Sequence, residues 1–105
     1  MTLQLRLKAQ KITDEIVKQY GPEKVILFGS AASETSTDDS DLDFCIIKSD
    51  VPIKSRDRYY DLVGKVHYDW PSDFLILTPQ EVQKRLTLGD PFMETIMKNG
   101  SVLYG

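Results

Sequence analysis

Three observations predict an α/β (α+β) domain built on a small sheet. Three short apolar runs, KVILF at 24–28, DLDFCIIK at 41–48 and DFLILT at 73–78, have strand length and are bounded by turn residues. Longer segments around them repeat apolar residues every three or four positions, the helical period. The chain has 105 residues, 41% hydrophobic and 28% charged, the balance of an ordinary globular domain. The expected architecture is one domain over residues 1–105, a small mixed sheet of three to four strands packed by about four helices.

Each element has its own local cause. In residues 2–20, Leu5, Ala9, Ile12, Ile16 and Tyr20 form one apolar stripe, and Gly21-Pro22 stops the helix. KVILF follows as a buried strand, then Gly29-Ser30, then Ala31–Glu34, long enough for one or two helical turns. TSTDDS at 35–40 is loop-like, and 41–48 is the second strand. Asp50 to Pro52 breaks it. Residues 53–66 are expected to be helical, with Tyr59, Leu62, Val63 and Val66 on one face. HYDWPS at 67–72 connects to the third strand at 73–78. Thr78-Pro79 with Glu81 three residues after Thr78 has the pattern of a capping box, starting a helix to about Leu88. Gly89-Asp90-Pro91 restarts a helix through Lys98, Asn99-Gly100 ends it, and Val102-Leu103-Tyr104 is expected as a short extended tail.

Composition narrows the function classes. The net charge is −3 and no dense Lys/Arg cluster occurs, which argues against binding to nucleic acid. Cys45 is the only cysteine, so no intrachain disulfide forms, and its place in DFCII is that of a small buried hydrophobe. No apolar run approaches the roughly 20 residues needed to span a bilayer. MTLQLRLKAQK lacks the apolar core and cleavage site of a signal peptide, so a cytoplasmic location and no membrane association are expected.

The chemistry sits in the acids. Asp41 and Asp43 are two apart in an expected strand and therefore share a face. Asp73 opens the next expected strand. If those strands are neighbours, three carboxylates converge, and they cannot all ionise comfortably without a counter-charge. A divalent cation supplies it: Mg²⁺ takes oxygen ligands and is commonly shared between carboxylates and substrate phosphates. Two such ions, about 3.5–4 Å apart, can hold the attacking and leaving oxygens of a phosphoryl-type displacement. Gly29 allows close approach of backbone to a phosphate, and Ser30 adds a hydroxyl. Together these read as a site for a Mg²⁺–nucleoside triphosphate.

The pattern Gly29-Ser30, ten residues, Asp41-Leu42-Asp43 resembles the signature of the DNA polymerase β-like nucleotidyltransferase superfamily. The layout of nearly the whole chain is similar to its minimal nucleotidyltransferases, which include the antitoxin partners of HEPN-domain toxins. The resemblance implies a nucleotidyltransferase fold. It implies that Asp41, Asp43 and Asp73 bind two Mg²⁺, with Asp73 also the candidate base. It implies that the Gly-Ser turn and the following helix hold the triphosphate, so the candidate nucleotide-binding residues are Gly29, Ser30 and Ser40. The implied reaction moves AMP from ATP to a hydroxyl with release of pyrophosphate; in the HEPN-linked members the acceptor is a tyrosine of the partner toxin, which is thereby silenced. The family often continues Gly-Ser-x-Ala-Arg-Gly, whereas Ser33 and Glu34 stand here in place of the arginine and second glycine. Serine cannot pair bidentately with phosphate as arginine does.

Because the catalytic core takes almost the whole chain, the acceptor or its binding surface is expected on a separate protein or a second protomer, in a homo- or hetero-oligomer. The alternatives are a degenerate nucleotidyltransferase fold that neutralises a partner by contact, and modification of a small molecule such as an antibiotic. Among the remaining residues, His67 is expected at the surface and Trp70 at the edge of the core. One of Tyr59 and Tyr60 should pack while the other faces water. Lys54, Arg56, Arg58 and Lys65 are expected to form the polar face of a helix, and Asp38 and Asp39 to be solvated loop charges.

Overall fold

The computed structural model describes residues 1–105. Helix α1 (Leu3–Tyr20) is capped by the Thr2 hydroxyl, which accepts from the Leu5 amide at 3.2 Å, and ends at Gly21 with φ +69°. Strand β1 (Lys24–Phe28) leads into a single 3₁₀ turn, Ser30–Ala32, and strand β2 (Leu42–Ile47) follows the loop. Helix α2 (Ser55–Val63) connects β2 to β3 (Ser72–Leu77). Helix α3 (Pro79–Thr87) opens on the expected capping box: Glu81 N donates to Thr78 Oγ1 at 3.1 Å and Thr78 N donates to Glu81 Oε1 at 2.8 Å. Helix α4 (Pro91–Asn99), capped by Asp90, runs into strand β4 (Ser101–Tyr104).

The four strands form one mixed sheet in the order β3-β2-β1-β4. β1 pairs antiparallel with β2 and with β4, while β2 and β3 run parallel across the α2 crossover. Both faces are covered, which is why β2 reads as an almost unbroken apolar run. Val25, Leu27, Phe44, Ile46, Phe74 and Ile76 pack on one face against Leu5, Ala9, Ile12 and Ile16 of α1 and Leu62 of α2. Ile26, Cys45, Ile47 and Leu77 pack on the other against Val82 of α3 and Met93 and Ile96 of α4.

One expectation sharpens and three change. The segment read as an extended tail is β4, hydrogen-bonded to β1. The helix expected at 53–66 is shorter, Ser55–Val63. The helical turns expected after Gly29-Ser30 shrink to one 3₁₀ turn. Arg58, expected on a solvated face, is buried at 5% exposure and sits on three carbonyl or carboxylate acceptors. Its Nε donates to Pro52 O, and its Nη1 donates to Ile76 O at 3.0 Å and to Glu81 Oε1 at 2.6 Å. The physical reason is that β3 is a sheet edge, and Arg58 brings it a donor while tying α2 to the start of α3. Tyr59 is half-buried against the core and Tyr60 is 62% exposed.

Candidate active site

The glycine that closes β1 is shaped by the acid beside it. Phe28 pairs with Asp43 across the β1–β2 ladder, so Gly29 emerges next to the Asp43 side chain. Gly29 has φ +75°, a region that L side chains rarely adopt. A Cβ on Gly29 would collide with Asp43 Oδ2. Glycine is therefore needed here twice: for the turn, and for the space the carboxylate takes.

The second acid comes from the parallel neighbour. In the β2–β3 register, Asp43 stands beside Asp73, a Cα separation of about 4.8 Å for adjacent strands. Strand alternation puts Asp43 with Cys45 and Ile47, and Asp73 with Leu75 and Leu77, so both side chains leave the sheet on the face that packs α3 and α4. Asp41, expected inside the second strand, lies just before β2, so strand alternation does not fix its direction; it is exposed, as is Asp73 at the start of β3. Asp43 is the half-buried member. Its carboxyl is raised above the ordinary range, first by burial, then by the negative charges of Asp73 and Asp41. Asp43 is thus the acid on which burial and both neighbours act.

This donor set suits a hard dication. It is all carboxylate, and none of the three acids forms an ion pair with Lys or Arg. No group of three His, Cys, Asp or Glu side chains is close enough to hold a metal by itself. Mg²⁺ is usually held by one or two carboxylates, with waters and substrate phosphates completing the shell. Asp43, with Asp41 and Asp73 beside it, is where such an ion would be held.

The serines occupy different places. Ser30 is exposed and opens the 3₁₀ turn after Gly29. Ser40 turns inward on its own loop: its Oγ accepts from the Thr37 amide at 3.1 Å. The Ser40 carbonyl accepts from Trp70 Nε1 at 3.0 Å, and the Leu42 amide donates to Pro71 O at 3.0 Å. Residues 70–71 therefore clamp the segment that carries Asp41 and, through it, fix the two acid-bearing strands at the same end. Trp70 is a positioning residue for which the sequence offers one signal, a lone tryptophan directly before a proline at a strand start.

Beside the Gly29 turn lies an open cleft of about 690 Å³ between the turn and α4. Phe28, Ser33 and Glu34 line one side, and Phe92, Thr95 and Asn99 of α4 the other. The α4 residues escape a reading of the sequence because their helical period marks only Met93 and Ile96 as buried. On α4 the aromatic Phe92 is exposed where it meets the cleft.

No curated protein sequence matches the chain. The fold matches the crystal structure of a protein assigned as a nucleotidyltransferase from Sulfolobus solfataricus, with a TM-score of 0.63 and 22% identity over 94% of this chain and 78% of that one. That likeness concerns the fold. Residues 10–105 match the sequence profile of the family described as polymerase β, nucleotidyltransferase, and this span includes the Gly29-Ser30 turn and all three acids. By that match over most of its length, on a sheet that brings Asp43 and Asp73 side by side, the chain belongs to the polymerase β nucleotidyltransferase family.

Proposed function

We propose that the protein is a Mg²⁺-dependent nucleotidyltransferase acting in the cytoplasm, which moves AMP from ATP to a tyrosine hydroxyl of a partner protein, a HEPN-type toxin that the transfer silences. The observation that carries the catalytic part is the pairing of Asp43 with Asp73 beside the Gly29 turn. The family membership supports transferase chemistry. The partner and the tyrosine rest on the resemblance to the toxin-linked minimal enzymes.

When bound, Mg²⁺ neutralises phosphate charge and lowers the energy of the developing oxyanions. The chain's own residues do the rest. Asp41 and Asp43 gather the negative charge that holds the ion. Gly29 lets the triphosphate come against the backbone, and the exposed Ser30 hydroxyl donates to a phosphate oxygen. Asp73 accepts the proton of the acceptor hydroxyl. The acceptor oxygen forms a bond to the α-phosphorus, the bond from that phosphorus to the bridging oxygen breaks, and pyrophosphate leaves with the electron pair. Trp70 keeps the Asp41 segment in place through the Ser40 carbonyl.

One observation favours a second reading, silencing by contact alone. Ser33 and Glu34 stand where the family often has arginine and glycine, so the turn brings no cation to a phosphate. The deciding experiment is label transfer from α-labelled ATP with Mg²⁺, using the protein with its co-purifying partner. The expected result is label on the partner that disappears with Asp41→Asn/Asp43→Asn. An unlabelled partner that the double variant still binds and silences would establish the contact reading instead.

A further inference from the structure

We propose that the cleft between the Gly29 turn and α4 is a nucleobase subsite, in which the base of the bound nucleoside triphosphate stacks on Phe92. The proposal rests on the nucleotide reading above and assigns the part of the substrate that the acids do not hold.

Three features point to this occupant. The first is position. The cleft begins at Gly29, and Phe28 in its wall is the register partner of Asp43, so a nucleotide whose phosphates sit at the turn and the acids has its nucleoside end within reach of the cleft. The second is size and polarity. At about 690 Å³ the space is ample for a nucleoside, and Phe28, Ala32, Phe92 and Ile96 share its lining with the polar Ser33, Thr95 and Asn99. Its only charged lining residue is Glu34, so a polyphosphate is disfavoured there, whereas a neutral heterocycle is not. The third is the aromatic wall. Phe28 and Phe92 meet edge to face, with centroids 5.7 Å apart and planes at 82°. Phe92 is 50% exposed, although the other apolar residues of its helix that face the sheet are buried. Every nucleobase offers a π-face to such a ring. Asn99, at the end of α4, is exposed to the same space with both a donor and an acceptor for the edge of a base.

The test compares two probes by isothermal titration calorimetry, each with Mg²⁺: α,β-methylene ATP, which has a base, and inorganic tripolyphosphate, which has none. Wild type should bind both. Phe92→Ala and Phe92→Leu should bind the nucleotide at least about fivefold more weakly, the smaller effect expected for loss of one base–aromatic stack, with tripolyphosphate binding unchanged. Phe92→Trp should restore nucleotide affinity. The leucine variant keeps apolar bulk without the ring, so packing damage and lost stacking separate. Unchanged nucleotide affinity in both variants overturns the subsite while the nucleotide reading stands. Equal loss of both probes in both variants also overturns it, because the cleft is then not a separate site for the base. A wild-type protein that binds neither probe overturns the nucleotide reading itself.

Discussion

Asp43 is held at a cost. It is half-buried, it stands beside Asp73, and burial together with its two acidic neighbours lifts its carboxyl. At neutral pH the ionised form therefore works against folding. Asp43→Asn removes the charge and keeps the shape. It should raise the melting temperature by a few degrees in metal-free buffer. Added Mg²⁺ should stabilise wild type by mass action and leave the variant unmoved. Gly29→Ala should go the other way, with a lower melting temperature, since its Cβ meets the Asp43 carboxylate and its backbone is in the positive-φ region. Thermal melts with and without Mg²⁺ check all three. An Asp43→Asn protein less stable than wild type would mean that the carboxylate supports the fold rather than burdening it. Gly29, Ser30, Asp41 and Asp43 stand out in the sequence because they lie close together, at the spacing on which the family resemblance rests. Ser40 and Trp70 were not legible in the same way, because the hydrogen bond between them spans 30 positions.

Among the elements, α2 shows how a charge pattern misleads. Arg58 sits one turn before Leu62, on the buried side of a short helix, and its guanidinium ties α2 to β3 and α3. The sequence marks Glu81 as a capping residue, and the same carboxylate also pairs with Arg58 at 2.6 Å. The hydrogen bond from Arg58 is the main reason that Glu81 titrates below its ordinary value of 4.5. A lowered folded-state pKa gives stability that is present above about pH 4.5 and is lost as pH falls through the folded value. Replacing Arg58 by Met should cost about 2–3 kcal/mol at neutral pH, the scale of a hydrogen bond to a charged partner, since Ile76 O and Glu81 lose their donor. Glu81→Gln should cost less, because its side chain is 41% exposed. Urea titrations at neutral pH and near pH 3 check the sign: the gap between wild type and Glu81→Gln should narrow in acid. An unchanged gap would remove the ion pair from the account.

For the molecule as a whole, the sheet separates two apolar layers, and Cys45 lies in a central strand within the layer under α3 and α4. Burial pushes its thiol from 9.0 up to about 11, against a smaller opposing effect of Arg85. At neutral pH the folded protein should resist thiol reagents, and labelling should follow global unfolding, with a rate that tracks urea as the melting transition does. Fast labelling under native conditions would show that the α3–α4 layer opens locally. No helix is long and apolar enough to cross a membrane.

Periodicity, caps and breakers are local, so they specified from the residues alone the four helices, the first three strands, the capping box and the end of α1 at Gly21. The spacing of Gly29-Ser30 and Asp41-x-Asp43, on which the family resemblance rests, is local in the same way. Strand order and register are different, because they come from burying both faces of the sheet at once, a sum over residues far apart in the chain. Folding therefore settled that β3 lies parallel to β2 with Asp73 beside Asp43, and that residues 101–104 join β1 as a fourth strand. It also settled that α4 faces the Gly29 turn across an aromatic cleft. A shift of β3 by one residue would turn Asp73 to the opposite face of the sheet, and nothing within DFLILT forbids it; the packing of Phe74 and Ile76 against α1 and α2 does.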